Sequence, residues 1–455
     1  TLQKNISLFP ALLFKLDGSI TKLKTSQQKK IRVAVILGGY SSERHISVES
    51  GRNVFEKLSS SEKYEPFPVF LMGNDAAHRL FRIPINVLLK DNADDIRDKI
   101  LNFKIHEVMK KIMEQCKMIT GKYASANTVF SPEEISYEQL AELTDVAFIA
   151  LHGRPGEDGS VQMQLDKIGI PYNGSGPETS SITIDKYRTN EILSSYGIPT
   201  AKHFLVEREK WNLSLDKELT EILSNYSFPF IAKPVDDGCS SAVKRISSKE
   251  ELICYAESVF RMDDAIASAS LNMLRLKPNE EFPRKKYFLV EELIEKNNAD
   301  HFLEITGGLL TRYNEHGDLE YEIFEPSEAL SEGDVLSLEE KFLAGEGQNI
   351  TPARYSDDEK VNSKISNIVK GELLKVAKIL NLEGYARIDA FVRIFKNAEV
   401  EVIIIEVNSL PGMTPATCIF HQTALHGYKP YDFIDRILDF GIQRGKRNKL
   451  REKVS

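Results

Sequence analysis

Short apolar runs recur along this chain, and turn residues follow each of them. The first run, Ile31–Leu37, leads into Gly38 and Gly39 and predicts a buried strand that ends in a turn. Apolar residues with helical spacing over Ile46–Leu58 predict a helix, and Phe67–Leu71 predicts a second strand. Strand, helix and strand in this order are typical of a parallel α/β unit.

A long polar stretch, 72–142, interrupts this pattern and predicts a helical insertion in the first domain. Its apolar residues recur at the spacing of one helix face, namely Ile96, Ile100, Phe103, Met109 and Ile112. The α/β pattern resumes at Val146–Leu151, whose carboxyl end leads into the segment 152–159. Ligands bind at the carboxyl ends of strands in open parallel sheets, so this segment is a candidate binding loop.

Two α+β units are predicted after the first domain. The runs Phe230–Pro234 and Tyr287–Glu291 predict strands of one unit. Strands at Ala386–Ile394 and Val402–Val407, with a closing helix near Pro430–Phe440, predict the other. The predicted limits are an N-terminal extension over 1–29, an α/β domain over 30–180, a central unit over 181–304 and a C-terminal unit over 305–455.

Composition and charge agree with a multidomain globular protein. The 455 residues are 42% hydrophobic and 28% charged, and this length favours two or three domains. The net charge of -8 gives no electrostatic reason to expect a nucleic acid. The four cysteines lie far apart, which fits a reducing cytoplasm, and no apolar run is long enough to span a bilayer.

The C-terminal end of the chain is basic. Six lysines and arginines fall between Arg444 and Lys453. We expect this segment to be the solvated end of a helix rather than a binding arm.

Two carboxylates and an amide form the strongest chemical pattern in the sequence. Glu406 and Asn408 are two positions apart on one predicted strand and share a face of it, and a neighbouring strand can place Asp389 beside them. Such an oxygen-donor set suits Mg²⁺, which completes its coordination with water and substrate phosphates. The structural alternative is a group of carboxylates at a strand end that is paired with Arg387.

Two lysines adjoin apolar segments and are candidates for binding phosphate. Lys186 and Lys233 would each supply a point charge. After Lys233, the small residues within 236–241 can direct backbone N–H groups at phosphate oxygens. The spacing of a Walker A loop is absent, which excludes a P-loop NTPase. The structural alternatives are surface lysines and a hairpin turn.

The turn Gly38–Arg44 also joins a strand to a helix. It lacks the G-x-G-x-x-G spacing of a dinucleotide-binding fold. We instead expect the helix N-terminus to hold an anion while Glu43 meets a substrate ammonium group. Capping of the helix by Ser42 or Ser47 is the structural alternative.

Taken in order, these motifs resemble the D-alanine–D-alanine ligase family. The resemblance covers most of Ile31–Phe440 outside the insertion. It rests on the segments Leu37–Gly39, Ser42–Arg44, Leu151–Gly159, Ile170–Gly176, Asp185–Lys186, Lys233–Pro234, Val290–Glu292, Arg387–Asp389 and Glu406–Thr414.

The resemblance implies an ATP-grasp fold, in which two α+β units clamp ATP and the preceding α/β domain helps to hold amino acids. It implies that ATP converts one D-alanine to an acyl phosphate and that the amine of a second D-alanine then displaces phosphate. The implied ligands are D-alanine, ATP and two Mg²⁺ ions, with Mn²⁺ as the alternative ion, and neither nucleic acid nor membrane. A cytoplasmic homodimer that serves peptidoglycan synthesis is also implied.

The resemblance also assigns roles to individual residues. The implied catalytic residues are Glu43, Arg387, Gly412, Ser240 and Lys341. The implied amino-acid-binding residues are Glu43, His152 and Thr417. The implied nucleotide-binding residues are Lys186, Lys233, Cys239, Glu291, Ile294 and Glu304, and the implied metal ligands are Asp389, Glu406 and Asn408.

Two positions depart from the family pattern. Cys239 occupies the place of the first serine of the phosphate-binding loop, which removes a hydroxyl but keeps the backbone N–H groups. In the mobile loop aligned to 325–352, Lys341 is followed by Phe342, where the family usually has tyrosine. Some members with phenylalanine there accept D-lactate, so D-lactate or another D-residue stays open as the second substrate. A non-catalytic ATP-grasp relative and a different carboxylate–amine ligase also stay open.

Overall fold

Three β-sheets organise the chain in a computed structural model. The structure describes residues 29–123, 128–238, 242–276, 280, 282–330, 349–396 and 399–452. The N-terminal extension up to residue 28 lies outside the described residues. Among the described residues, no helix is both long and apolar enough to cross a membrane.

The first sheet forms around the run that the sequence marks as a buried strand. Its strands are β1 Ile31–Gly38, β2 Tyr64–Asn74, β3 Ala77–Arg82, β4 Glu133–Ile135 and β5 Val146–Ile149, in the spatial order β4-β3-β2-β1-β5. Strand β1 pairs in parallel with β2 and with β5, so the predicted parallel unit is confirmed. The side chains from Val33 to Leu37 are fully buried because β1 lies at the centre of the parallel part.

The insertion is not purely helical. Strands β3 and β4 extend the first sheet in antiparallel fashion, and between them the chain forms short helices. The helices of the first region are α1 Arg44–Ser59, α2 Ile85–Lys90, α3 Ala93–Leu101, α4 Glu107–Gln115, α5 Lys117–Tyr123, α6 Tyr137–Leu143, α7 Ser160–Lys167, α8 Pro177–Ile184 and α9 Lys186–Ser195. The predicted single apolar face is wrong, since the chain breaks between α3 and α4. Ile96 is buried whereas Met109 and Ile112 are exposed.

The second sheet is antiparallel. Its strands are β6 His203–Glu207, β7 Phe230–Pro234, β8 Lys244–Ile246 and β9 Tyr287–Glu292, in the order β6-β9-β7-β8. Its helices are α10 Arg208–Leu213, α11 Leu215–Asn225, α12 Lys249–Phe260 and α13 Ser268–Met273. The predicted strands at Phe230 and Tyr287 are confirmed, and β7 and β9 are neighbours that bring Lys233 close to Glu291.

The third sheet carries the predicted carboxylates. Its strands are β10 His301–Tyr313, β11 Leu319–Ile323, β12 Ser327–Ala329, β13 Asn349–Ile350, β14 Tyr385–Ile394 and β15 Val400–Asn408. Strand β14 lies between β10 and β15. Strand β10 runs across the predicted limit between 304 and 305, and the domain limits stay a prediction.

The last helix packs against the first sheet. Helices α14 Glu359–Ile379, α15 Cys418–Leu425 and α16 Pro430–Glu452 follow in order. Apolar residues of α16, including Phe433 and Leu438, belong to the same buried core as the strands β1, β2 and β5. The first sheet is therefore covered partly by the C-terminal helix.

The sequence predicts that the basic C-terminal segment is solvated, but the structure shows that part of it is buried. Arg444 is buried and donates hydrogen bonds to the carbonyl oxygens of Gly174 (2.5 Å) and Tyr172 (3.0 Å) and to Glu383 Oε2 (3.0 Å). Arg447 lies over the ring of Tyr313 at 4.4 Å. Two arginines of α16 thus connect the segment after β5 to the third sheet.

We expect Arg444→Ala to lower the free energy of unfolding by about 3 kcal/mol, because it leaves buried carbonyls and a carboxylate without their shared donor. Urea unfolding followed by tryptophan fluorescence and circular dichroism measures this loss. Lys446→Ala is the matched control, since Lys446 lies two residues away and is exposed. Equal stability of the two variants would contradict the role given to Arg444.

Candidate functional site

A cavity of about 530 Å³ lies where the second and third sheets face each other. Six residues that the sequence predicts as ligand-binding line it: Lys186, Lys233, Glu291, Ile294, Glu304 and Glu406. Apolar side chains such as Ile231 and Phe391 complete its walls. A cavity with apolar walls and a few convergent charges is the usual form of a small-molecule site.

Lys233 and Glu291 face each other at one wall of this cavity. The Lys233 Nζ lies 2.6 Å from Glu291 Oε2, and both side chains are more than nine-tenths buried. Asn190 Nδ2 donates a hydrogen bond to the other carboxylate oxygen of Glu291. Since the charges are paired, burial of this lysine beside the cavity is tolerated.

Lys186 connects the cavity to the loop after β7. Its Nζ donates a hydrogen bond to the Asp237 carbonyl at 2.6 Å and lies 3.5 Å from Glu406 Oε2. Lys186 is the first residue of α9, and the side chain of Asp185 caps that helix by accepting from the Arg188 N–H. The cap fixes where the helix begins and hence where the lysine projects.

Arg387, Asp389 and Glu406 form a buried charge cluster on β14 and β15. Asp389 lies directly opposite Glu406 in the strand register, as the sequence spacing predicts. Arg387 donates to both oxygens of Asp389 at 3.0 Å and lies 3.6 Å from Glu406 Oε1. Burial lowers the pKa of Arg387, but the two carboxylates outweigh burial and hold that pKa above its usual value. Thr306 donates to Asp389 Oδ1 at 2.6 Å.

The donor set fits a hard cation. Asp389, Glu406 and Asn408 offer two carboxylates and one amide oxygen, and oxygen is the donor that Mg²⁺ prefers. The Nδ2 of Asn408 is buried without a hydrogen-bond partner. Among the described residues, no group of three or more His, Cys, Asp and Glu side chains could hold a metal ion.

A smaller pocket adjoins the cavity and contains Glu43. Glu43 is buried and occupies the position before the first residue of α1, and its side chain makes no capping hydrogen bond to that helix. Capping by Ser47 is wrong, because the Ser47 hydroxyl accepts from the Gly38 N–H instead. A Cβ atom on Gly238 would lie only 2.5 Å from Glu43 Oε2, so a side chain at this position would displace the Glu43 carboxylate.

Glu157 is a site residue that the sequence reasoning did not single out. It is buried in the same pocket and accepts a hydrogen bond from the Gly153 N–H at 2.8 Å. Burial, and after it the negative charge of Glu43, raise the pKa of Glu157. Glu157 lies within Leu151–Gly159, a segment that carries the family resemblance, and this place in the sequence is a signal for it.

His152 has both ring nitrogens engaged inside the protein. Nδ1 lies 3.0 Å from the Leu410 carbonyl oxygen, and Nε2 lies 2.8 Å from the Ser50 hydroxyl. Because a carbonyl only accepts, Nδ1 carries the hydrogen, and Nε2 of the neutral ring accepts from Ser50. Burial lowers the pKa of His152 to about 4, which keeps the ring neutral. This placement favours support of the Leu410 loop over direct contact with a substrate.

The loop after β15 contains two further predicted residues. Gly412 is buried between Leu410 and Met413. Thr417 is also buried, and its hydroxyl lies 2.9 Å from that of Thr414. The part of the loop from 409 to 414 therefore lies inside the molecule, beside His152.

An ion network that the sequence reasoning missed holds the loop after Lys233. Lys285 Nζ lies 2.8 Å from Asp236 and 2.9 Å from Asp237, and Arg154 also pairs with Asp236. Burial raises the pKa of Asp236, but Lys285 and Arg154 outweigh burial and hold that pKa below its usual value. For Asp237 burial dominates, and its pKa is raised. The network links the segment after β5 to the second sheet.

Several predicted residues lie outside the described part of the chain. These are Cys239, Ser240, Lys341 and Phe342, together with residues 331–348 of the predicted mobile loop. Their assignments stay predictions. One described end of that loop, 325–330, borders the cavity through Glu328 and Leu330.

A larger groove of about 780 Å³ lies elsewhere, between the segment 166–172 and helix α16. It contains none of the residues that the sequence predicts as functional. The chemistry of the charged cavity, and not the size of the groove, therefore identifies the candidate site.

Known proteins resemble the chain over most of its length. The D-alanine–D-alanine ligase of Leptospira biflexa is 26% identical over 416 residues, which are 91% of this chain and 99% of that protein. The VanG D-Ala:D-Ser ligase structure from Enterococcus faecalis is 20% identical with a TM-score of 0.59 and covers 91% of this chain and 100% of its own. The Bacillus anthracis D-alanine–D-alanine ligase structure with ATP is 21% identical with a TM-score of 0.55, covering 92% and 99%. The structures confirm the predicted fold class.

Family models match both parts of the molecule. The model described as the D-ala D-ala ligase N-terminus matches residues 32–175. The model described as the D-ala D-ala ligase C-terminus matches residues 192–269 and 279–439, which is more than half of the chain. The chain belongs to the D-alanine–D-alanine ligase family.

Proposed function

We propose that this protein joins two D-alanines in an ATP-dependent reaction that passes through an acyl phosphate. One observation supports the proposal. The cavity between the second and third sheets and the smaller pocket that contains Glu43 share three lining residues, Lys186, Asp237 and Glu406. A nucleotide in the cavity and an amino acid beside Glu43 would therefore meet at a shared wall. Transfer of a phosphoryl group needs such a meeting point.

In the first half of the reaction, a carboxylate oxygen of one D-alanine attacks the terminal phosphorus of ATP, and ADP leaves. Lys186 and Lys233 line the cavity and would bind the phosphates and offset their charge. Asp389, Glu406 and Asn408 would hold Mg²⁺, which neutralises phosphate charge. Glu291, Ile294 and Glu304 would contact the base and ribose.

In the second half, the amine of the second D-alanine attacks the acyl carbon, gives up a proton and displaces phosphate. Glu43 would hold the ammonium group of the first D-alanine, and Thr417 would bind the carboxylate of the second. Arg387 and the Gly412 N–H would stabilise the oxyanion of the tetrahedral intermediate. The acyl phosphate is needed because a free carboxylate is a poor acyl donor. The dipeptide would serve peptidoglycan synthesis; a cytoplasmic location and a homodimer stay predictions.

We expect Glu406→Gln to lower kcat for D-alanine-dependent phosphate release at least about 100-fold and to raise the Mg²⁺ concentration needed for half-maximal rate. Glu401→Gln is the matched control, since Glu401 lies on the same strand, pairs with Arg393 at 3.0 Å and does not line the cavity. It should change kcat less than twofold. Steady-state kinetics with ATP, Mg²⁺ and D-alanine give both values.

Two results would overturn the proposed catalysis. One is wild-type protein that binds ATP but releases no phosphate with any D-amino acid, which would favour a non-catalytic relative. The other is a Glu406→Gln variant with the kinetics of the wild-type protein. Turnover only with a different carboxylate and amine would instead indicate another ATP-grasp ligase.

A second candidate function changes the acceptor to D-lactate or another D-residue. Phe342 favours it, because phenylalanine lacks the hydroxyl of the tyrosine that the family usually has there. The structural relationship to a D-Ala:D-Ser ligase shows that proteins of this fold differ in their acceptor.

Product analysis by mass spectrometry separates the two acceptors. With equal concentrations of D-alanine and D-lactate, we expect only the dipeptide, with phosphate release unchanged by D-lactate. We also expect Phe342→Tyr to alter the acceptor KM more than the ATP KM. Formation of the ester as the main product would assign the protein to the alternative acceptor.

The neutral His152 predicts a loss of stability in acid. Between pH of about 6.5 and about 4 the unfolded chain binds a proton at this residue and the folded chain does not. Acidification through this window should therefore lower the free energy of unfolding by on the order of 3 kcal/mol from this residue. Urea unfolding as a function of pH should show a weaker dependence for His152→Asn than for the exposed control His316→Asn. Identical dependences would refute this assignment.

A further inference from the structure

The loop that carries Gly412 is held from outside the third sheet by helix α1. Asn53 Nδ2 donates a hydrogen bond to the Met413 carbonyl oxygen at 2.8 Å. The Met413 N–H donates to the Ser50 hydroxyl at 3.0 Å. The N–H and the carbonyl oxygen of Met413, the residue after Gly412, are therefore both hydrogen-bonded to side chains of α1. These two side chains are one helical turn apart, and both are buried.

The other side of the same loop is held by the segment after β5. His152 Nδ1 donates to the Leu410 carbonyl oxygen at 3.0 Å, and the Leu410 N–H lies 3.4 Å from Glu157 Oε1. Ser50 also donates to His152 Nε2 at 2.8 Å, which joins the two sides. Gly412 thus lies between two residues whose backbone groups are fixed by the first region of the chain.

We propose that Asn53 and Ser50 are positioning residues that set the place of the Gly412 N–H, and hence of the oxyanion donor. The inference rests on the proposed function. Glycine offers no side chain to fix its own conformation, so its position depends on its neighbours. Donors to an oxyanion are effective only when they are held in place before the reaction.

Helix α1 adds a second consequence, because Glu43 immediately precedes its first residue. Asn53 follows Glu43 by ten positions, about 15 Å along a helix. One rigid element would then present the carboxylate for the substrate ammonium at its start and would hold the oxyanion loop near its middle. The distance between the two groups is set by helix geometry and not by a flexible loop.

The test replaces the amide donor with a carboxylate of the same shape. Asn53→Asp places a negative charge against the Met413 carbonyl oxygen, so we expect kcat to fall at least about 10-fold while the KM for ATP changes less than twofold. Asn225→Asp is the matched control, because Asn225 also donates to a backbone carbonyl at 2.8 Å but is exposed on α11. It should leave kcat and both KM values unchanged. Ser50→Ala, a smaller change, should lower kcat with the same pattern.

Hydrogen exchange gives a readout that does not depend on turnover. We expect Asn53→Asp and Ser50→Ala to speed amide exchange in the segment 409–414 and to leave β7, which carries Lys233, as in the wild type. Unchanged amide exchange in the segment 409–414 would overturn the inference. Unchanged kcat, or a parallel loss of ATP binding and thermal stability, would also overturn it. Inactive wild-type protein would instead refute the proposed function, and exchange in 409–414 would still decide whether Asn53 and Ser50 hold the loop.

Discussion

The rest of the site depends on the compensation of buried charge around Arg387. Asp389 and Arg387 are both more than nine-tenths buried, and Glu406 lies beside them. A carboxylate in such a place is costly unless cations and hydrogen bonds surround it. One cation comes from the same strand and another, Lys186, from the start of a helix about 200 residues earlier in the chain. The charges therefore assemble only when the separate units are folded together.

Much of the site could be predicted because strand geometry is local. The alternation of side chains along β15 places Glu406 and Asn408 on one face, and pairing with β14 supplies Asp389. The burial of β1 could also be predicted from the sequence, since a continuous apolar run fits a central parallel strand. Hydrogen bonds between residues far apart in the sequence could not be predicted. Asn53 meets Met413 across 360 residues, and nothing in the sequence near either one indicates the contact.

The insertion and the basic end of the chain show why pattern alone was insufficient elsewhere. Periodicity correctly marked Ile96 as buried, but it did not reveal the break between α3 and α4 or the strands on either side. A run of lysines and arginines ordinarily indicates a solvated surface. Arg444 departs from this because three acceptors, contributed by Tyr172, Gly174 and Glu383, converge on one guanidinium. Only the tertiary structure creates that convergence.

Strands of the first sheet and helix α16 share one core, and this has a consequence for synthesis of the protein. Strands β1, β2 and β5 are made early, yet Phe433 and Leu438 of α16 belong to the same apolar cluster. N-terminal domains ordinarily complete their folding while the ribosome is still at work. Here the first sheet keeps part of its apolar surface uncovered until α16 has been translated. The nascent chain is thus exposed to aggregation during this interval, and chaperones that bind apolar segments would act on it then.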